Sequence, residues 1–278
     1  MSRSNRKGNN NKKPFSSMRK PNAFPVKNSG DLSKGRWRVV IGLHAIREVL
    51  KVRPNEVNRI LVREGWENSS DLRQILDKTK LLNIKVDIVS RTLIDKINFP
   101  NQGIAAEVSP IPSSNLDSIV LDKKMSIVLA LDGIEDPQNF GAIIRTSWLF
   151  GVDAIISDSI DLNVLTPAMH KVASGGIEHV KLINVQSLKI ALEMFKKNGY
   201  WIFGLDGDGS KDLRTVSVPD KIVWVLGSEE RGMRLTTKKI CDEIVSVPQV
   251  DNAASYNVSV VAGLILYESE KQRRVVKP

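Results

Sequence analysis

The sequence predicts an α/β protein of two domains, the second built on a parallel sheet covered on both faces. Two observations carry that prediction. Between residues 125 and 250, short runs of Val, Ile and Leu alternate with amphipathic segments, the mark of buried parallel strands joined by helices. Near residue 110, "SPIPSSNLDS" interrupts the pattern with two prolines and four serines, a linker by composition.

In the first half, order begins near Val40. "IGLHAIREVL" has helical spacing and "NRILV" reads as a strand. "DLRQILDKTKLL" is a second amphipathic helix, followed by the strand "IKVDIV", a short helix at "TLIDKI" and the strand "QGIAAEV". These elements predict a small α/β domain over 39–108, with the linker over 109–124. In the second half the strand candidates are "SIVLALD" (126–132), "VDAIIS" (152–157), "HVKLIN" (179–184), "YWIFGLD" (200–206), "KIVWVLG" (221–227) and "DEIVSVP" (242–248). A last helix is expected from Asn257 to about Lys271, so this domain is set at 125–272, with 273–278 as a tail.

Composition narrows the function. The 278 residues are 41% hydrophobic and 26% charged, as in a globular protein with a substantial core. No apolar run has the length of a membrane span, and the N-terminus lacks a secretory h-region. The single cysteine, Cys241, rules out a disulfide framework, and three scattered histidines give no zinc spacing. The chain therefore reads as cytoplasmic and metal-free. Its net charge of +10 lies wholly in residues 1–38, which hold eleven Lys/Arg and one acid. That Asn-, Gly- and Ser-rich segment is expected to be disordered, and either to solubilise the chain or to hold nucleic-acid phosphates by counterion release.

Three loops follow strands, where parallel sheets place their ligands. In "DPQNFGAIIRT", Pro137 suits the first turn of a helix, and Arg145 is the only charge between Asp136 and Asp153. Asn139 and Arg145 stand six residues apart, roughly 9 Å along a helix and on different faces. Arg145 reads either as an interdomain or subunit ion pair or as an anion site. In "GSEERGM" (227–233), Gly227 and Gly232 permit a tight turn, and the two acids suit a polar or cationic ligand better than a phosphate. In "SYNVSVVAG", Ser255 or Asn257 can cap the helix that follows, whose small residues suit a core or a dimer seam. The acids of "GLDGDGSKD" only imitate a calcium loop: Lys211 stands where glycine is required. "KVASGGIEHV" holds a small-residue turn whose purpose composition does not assign.

Together, in this order on these strand ends, "DPQNFGAIIRT", "GSEERGM" and "SYNVSVVAG" resemble the three motifs of the SpoU-type (TrmH family) RNA ribose 2′-O-methyltransferases. The first domain resembles the substrate-binding domain of that family's 23S rRNA guanosine 2′-O-methyltransferases. The resemblance implies a C-terminal SPOUT-type domain with a deep trefoil knot, an L30e-like first domain, a homodimer, an RNA partner and S-adenosyl-L-methionine as cofactor. It implies cofactor contacts at Gly227, Val247 and Tyr256, the last in place of a more usual leucine. It also implies catalytic roles for Asn139, Arg145, Glu229, Ser255 and Asn257. The expected function is methylation of a ribose 2′-hydroxyl, on a guanosine of 23S rRNA. A tRNA substrate, or a non-catalytic ribosome-assembly factor, are the alternatives.

Overall fold

The computed structural model describes residues 37–97, 100–120, 124–159, 165–251 and 255–275. The basic segment before Trp37 lies outside the described residues.

The first domain is a four-stranded sheet. Strand β1 (Arg38–Ile41) leads through Gly42 into helix α1 (Leu43–Val52), then come β2 (Val57–Arg63), α2 (Ser70–Leu81), β3 (Lys85–Val89), α3 (Arg91–Asp95) and β4 (Ile104–Val108). The sheet order is β1-β4-β2-β3, with β4 antiparallel to both neighbours and β2 parallel to β3. Period-2 alternation divides the core by face. Val40, Ile60, Val62 and Ala106 pack under α1 and α2, while Val39, Ile41, Leu61 and Ala105 pack beneath Ile94 of α3. Two boundaries differ from the sequence reading for the same reason. Gly42 has φ 92°, so Ile41 belongs to a strand rather than to the helix after it. Gln102 and Gly103 have φ 57° and 79°, so β4 starts two residues later than its apolar pattern.

A short helix, α4 (Asp117–Val120), interrupts the expected linker before the second domain. That domain holds β5 (Ser126–Asp132), α5 (Pro137–Leu149), β6 (Ala154–Ser157), α6 (Pro167–Ala173), β7 (Lys181–Asn184), α7 (Leu188–Lys197) and β8 (Trp201–Leu205). It continues with β9 (Lys211–Asp212), β10 (Lys221–Gly227), α8 (Leu235–Lys238), β11 (Glu243–Ser246) and α9 (Val258–Val275). Helix α9 thus runs into the segment expected to be a tail. All seven strands are parallel, in the order β7-β6-β5-β10-β8-β11-β9. Strand β10 therefore lies between two strands that precede it in the chain.

Each face of the sheet has its own helices. Leu129, Leu131, Phe203 and Trp224 pack under α5, α6 and α9. Val128, Ala130, Ile202 and Val223 pack under α7 and α4. Trp224 is fully buried and satisfies its indole N–H on Ser269 Oγ at 2.9 Å, tying the sheet centre to α9. The small-residue turn left unassigned by composition serves close packing. A Cβ on Gly176 would stand 3.1 Å from the Ile144 carbonyl oxygen and 3.2 Å from Arg145 Cα, so the turn rests directly on the α5 backbone.

The two domains are joined by buried charge. Arg38 of β1 donates two hydrogen bonds to Glu178, of 2.6 and 2.7 Å, and its Nε donates to the Ser109 carbonyl at 2.9 Å. Arg53 adds a contact to the same carboxylate at 3.5 Å. Beside this clasp, His179 stacks on Trp148 with ring centroids 4.3 Å apart and meets Glu48 at 2.8 Å.

Candidate active site

The three motif loops meet at the C-terminal end of the parallel sheet. In register, Gly227 at the end of β10 lies beside Asp132 at the end of β5. Asp136 caps α5 by accepting from Asn139 N at 2.8 Å, and Pro137 occupies the position where a missing N–H costs nothing. After β10 the chain folds back on itself: Ser228 and Gly232 exchange backbone hydrogen bonds of 3.2 and 2.9 Å, with Gly232 at φ 65°. Gly227 lies under that turn. A Cβ there would fall 2.3 Å from Gly232 C and Met233 N, a separation no side chain tolerates.

Glu229 at the tip of this turn reaches the third motif. Its Oε1 accepts from Asn257 Nδ2 at 2.6 Å and from Val258 N, the first residue of α9, at 3.2 Å. A carboxylate is well placed at a helix start, where free N–H groups and the positive dipole end meet it. Asn257 Nδ2 also donates to Asn139 Oδ1 at 2.9 Å, while Asn257 Oδ1 accepts from Ser259 N at 2.9 Å. The chemistry fixes both amides. Glu229 can only accept, so Asn257 must present its nitrogen, and Asn139 must answer with its oxygen. The Asn139 amide N–H groups have no partner among the described residues. Residues 118 apart in sequence are thereby held in one network, and Asn257 is confirmed as the cap of α9.

This network stands on the wall between two cavities. One, of about 500 Å³, is lined by Gly227, Glu229, Val247, Ser255, Tyr256 and Asp206, with Leu205, Leu226 and Val261 as apolar surface. The other, of about 600 Å³, is lined by Asp132, Asp136, Asn139, Asp158, Glu229 and Arg234. Ser228, Glu229, Arg231, Gly232, Met233 and Val258 face both, while Glu230 faces only the second. Seven of the eight sequence-predicted site residues are accordingly brought together.

Arg145 is the exception. It is exposed on α5, it lines neither cavity, and it forms no ion pair among the described residues. The apolar residues of α5 face the sheet, and Arg145 faces outward. Neither Glu229 nor the first domain pairs with it, so the ion-pair reading also fails within one chain.

Two charged sets escaped the sequence reading. Arg234 bonds Asp132 and also grips Asp158 at 2.9 and 2.7 Å, clamping the end of the 228–233 turn across β5 and β6. Asp206, in the first cavity, pairs with Lys238 at 2.8 Å. Burial works against the Asp206 charge, but the Lys238 hydrogen bond and the Asp208 N–H together hold its carboxyl below the usual range. Of the acids weighed as a calcium loop, Asp206 is thus occupied by Lys238 and Asp212 by Arg214. Cys241 is no nucleophile, because burial and then Asp242 push its thiol up to about 12.

Residues 126–267 match the model of the SpoU rRNA Methylase family, and residues 39–114 match the RNA 2′-O ribose methyltransferase substrate-binding domain. A protein of Staphylococcus aureus named as a TrmH family tRNA/rRNA methyltransferase is 34% identical over 243 residues, spanning 86% of this chain and 97% of that one.

The chain belongs to the SpoU methylase family.

Solved structures of SpoU proteins bear out the fold. The SpoU methyltransferase AviRb from Streptomyces viridochromogenes has a TM-score of 0.75 at 21% identity, covering 88% of this chain and 93% of its own. A crystal structure of AviRb in complex with AdoMet scores 0.73 at 21% identity, covering 90% and 95%. In this SpoU chain the glycine under the second motif makes the sharpest prediction. Gly227→Ala is expected to displace the 228–233 turn and weaken S-adenosylmethionine binding at least about ten-fold, or to lower Tm by several degrees. Equilibrium dialysis with labelled cofactor and a melting curve read both, and a fully wild-type result in the two would defeat the account.

Proposed function

We propose that this protein transfers a methyl group from S-adenosyl-L-methionine to a ribose 2′-hydroxyl of RNA, on a guanosine of 23S rRNA, in the bacterial cytoplasm. The observation that carries the reading is the Glu229–Asn257–Asn139 network on the wall shared by the two cavities. It gives one loop contact with both a cofactor and an acceptor.

The residues of the first cavity fit the cofactor. Apolar surface from Leu205, Leu226 and Val261 suits an adenine, the missing Gly227 Cβ leaves backbone accessible, and Asp206 offers an acceptor for hydroxyl or ammonium groups. When bound, the sulfonium supplies an electrophilic methyl group and needs no metal. The chain supplies positioning. Glu229 holds the turn against α9, and Asn139 keeps its amide N–H groups free to orient the ribose oxygen. Gly227, Val247 and Tyr256 line the cofactor side, and Ser255 stands at its rim. Arg145 serves as a phosphate clamp, because a guanidinium presents a planar fork of donors that matches phosphate geometry.

A homodimer completes the site in this reading. Val260, Leu264 and Tyr267 are 50%, 38% and 59% exposed, and their spacing makes one apolar stripe along α9. Leu149 of α5, 68% exposed, adds to the outward apolar surface, and Arg145 stands one turn before it on the same face. A second copy seated there puts Arg145 at the seam, where a guanidinium missing from its own chain's cavities can serve bound RNA. The order of strands, with β10 between β5 and β8, supports the knotted path that the resemblance implies.

The test is transfer of tritium from labelled S-adenosylmethionine to undermethylated total RNA, with digestion to find the modified nucleotide. Label at a 23S rRNA guanosine is expected, label only in tRNA would move the substrate, and no label in any RNA would sink the enzyme reading. Run beside it, Leu264→Glu should sediment as a monomer and lose transfer. A Leu264→Glu dimer with full activity would remove the interface from this face.

A further inference from the structure

The first domain holds a cleft that the methyl-transfer site does not use. Its volume is about 450 Å³, and Arg63, Arg91, Asp95 and the turn Asn101–Gly103 line it. Arg63 ends β2, and its stem crosses Gly103 so closely that a Cβ there would lie 2.5 Å from Arg63 Cδ. Glycine is doubly required, since the residue has φ 79°. The Arg63 Nε is buried without a hydrogen-bond partner, and the guanidinium has no ion pair among the described residues. A buried charged donor lacking an acceptor is costly, so the arrangement is complete only when an acceptor arrives. Arg91, on the opposite bank, is 80% exposed and touches Asp95 only loosely, at 3.6 Å. Two guanidiniums thus face one carboxylate, and the cleft carries a positive excess.

The turn between them is held by side-chain hydrogen bonds at both Asn101 and Gln102. Asn101 is buried, with Nδ2 donating to the Ile94 carbonyl and Oδ1 accepting from Gly103 N, both at 2.8 Å. Gln102 is held at φ 57° while its Oε1 accepts from Leu43 N at 3.0 Å. Just beyond lies Gly42. A Cβ on that residue would stand 3.5 Å from Gln102 Oε1 and 3.9 Å from Lys171 Cγ of α6. Lys171 also has no ion pair among the described residues. Arg63, the turn and Lys171 therefore form a path from the cleft onto the domain that carries the methyl-transfer site.

We propose that this cleft is a phosphodiester subsite for the RNA substrate, with Arg63 as the half-buried fork and Arg91 as the exposed clamp. The proposal rests on the RNA-methyltransferase reading and deepens it. The subsite fixes the register of the strand and leaves base recognition to other contacts. An acceptor oxygen from a phosphate satisfies Arg63 Nε, and a guanidinium presents the planar fork that phosphate geometry matches.

The test uses the full chain and a fluorescein-labelled mixed-sequence oligoribonucleotide of about 20 nucleotides, with affinity measured by anisotropy from 50 to 300 mM salt. Arg63→Gln and Arg91→Gln are each expected to weaken binding about five-fold at 0.1 M salt and to lower the salt slope by about 0.7, the share of one phosphate contact on a single strand. Both variants should keep wild-type cofactor affinity. Arg91→Gln replaces an exposed side chain, so it tests the cleft even if Arg63→Gln unfolds. Unchanged affinity and slope in Arg91→Gln and in folded Arg63→Gln, with wild type binding and methylating RNA, would overturn the subsite alone. A wild type that neither binds nor methylates any RNA would overturn the parent reading as well. A mononucleotide binding wild type as tightly as the oligonucleotide, and lost in Arg63→Gln, would make the cleft a nucleotide site and reject the RNA assignment.

Discussion

Arg145→Ala is expected to lower the methyl-transfer rate by at least about 100-fold while leaving cofactor affinity and Tm unchanged. A charge aimed at a reacting phosphate or ribose is worth about that much when its donors are placed in advance. The side chain is exposed and makes no ion pair among the described residues, so its removal leaves no buried group unsatisfied and costs little stability. Arg145→Lys separates charge from geometry: an ammonium keeps the attraction to a phosphate and loses the planar fork, so partial recovery is expected. Single-turnover rates at saturating RNA, beside cofactor dialysis and a melt, distinguish the outcomes. A wild-type rate in Arg145→Ala would end the clamp role, and a large fall in Tm would show that the residue holds the fold instead.

Removing the carboxylate of the interdomain clasp should give the largest stability loss in the protein. The Glu178 side chain is 1% exposed, and the Arg38 and Arg53 side chains facing it are 8% and 11% exposed. Glu178→Ala would leave the Arg38 guanidinium buried with only the Ser109 carbonyl, and the loss expected for breaking such a pair is about 3–5 kcal/mol. His170 lies near as well. Burial first, and the Arg38 charge second, hold its imidazole well below the usual histidine range, so it stays neutral and supplies no anion to replace the carboxylate. At the scaling of domains this size, Tm should drop by roughly 6–20 °C. Because the lost contacts join two domains, the melt should also broaden or split. An unchanged Tm would mean the clasp is incidental and the domains are held by apolar contact alone.

Much of this architecture was legible because burial writes itself into strand composition. All six strands read from continuous apolar runs in the second half are present, since a parallel strand with both faces covered leaves no room for polar alternation. The two-residue strand β9 carries no such run. Sheet order was not legible from periodicity, because which slot β10 fills depends on loops and not on the strand itself. The site divides in the same way. Asn139, Glu229 and Asn257 sit in motifs with fixed neighbours, but their mutual bonds span 28 and 118 positions and appear only in the folded chain. Arg145 misled for a physical reason: apolar neighbours on a helix describe the opposite face, and say nothing of the face that carries the charge. Glu178 gave no signal at all, since its partner Arg38 stands 140 residues away.

The position of β10 sets a condition on how the molecule is made. Strands β5 and β8 are synthesised before it, and until residue 227 has left the ribosome the place between them is empty. For that interval the domain presents two unsatisfied rows of backbone donors and acceptors, about 9–10 Å apart, which is twice the spacing of neighbouring strands. No partial sheet of the native order can close over them. The turn that carries Glu229 follows β10 immediately, so it takes its place beside Asp132 only once the slot is filled. Under the proposed reading, a chain whose β10 has not entered the sheet lacks part of the lining of the cofactor cavity, and the residues after Val247 complete it last of all.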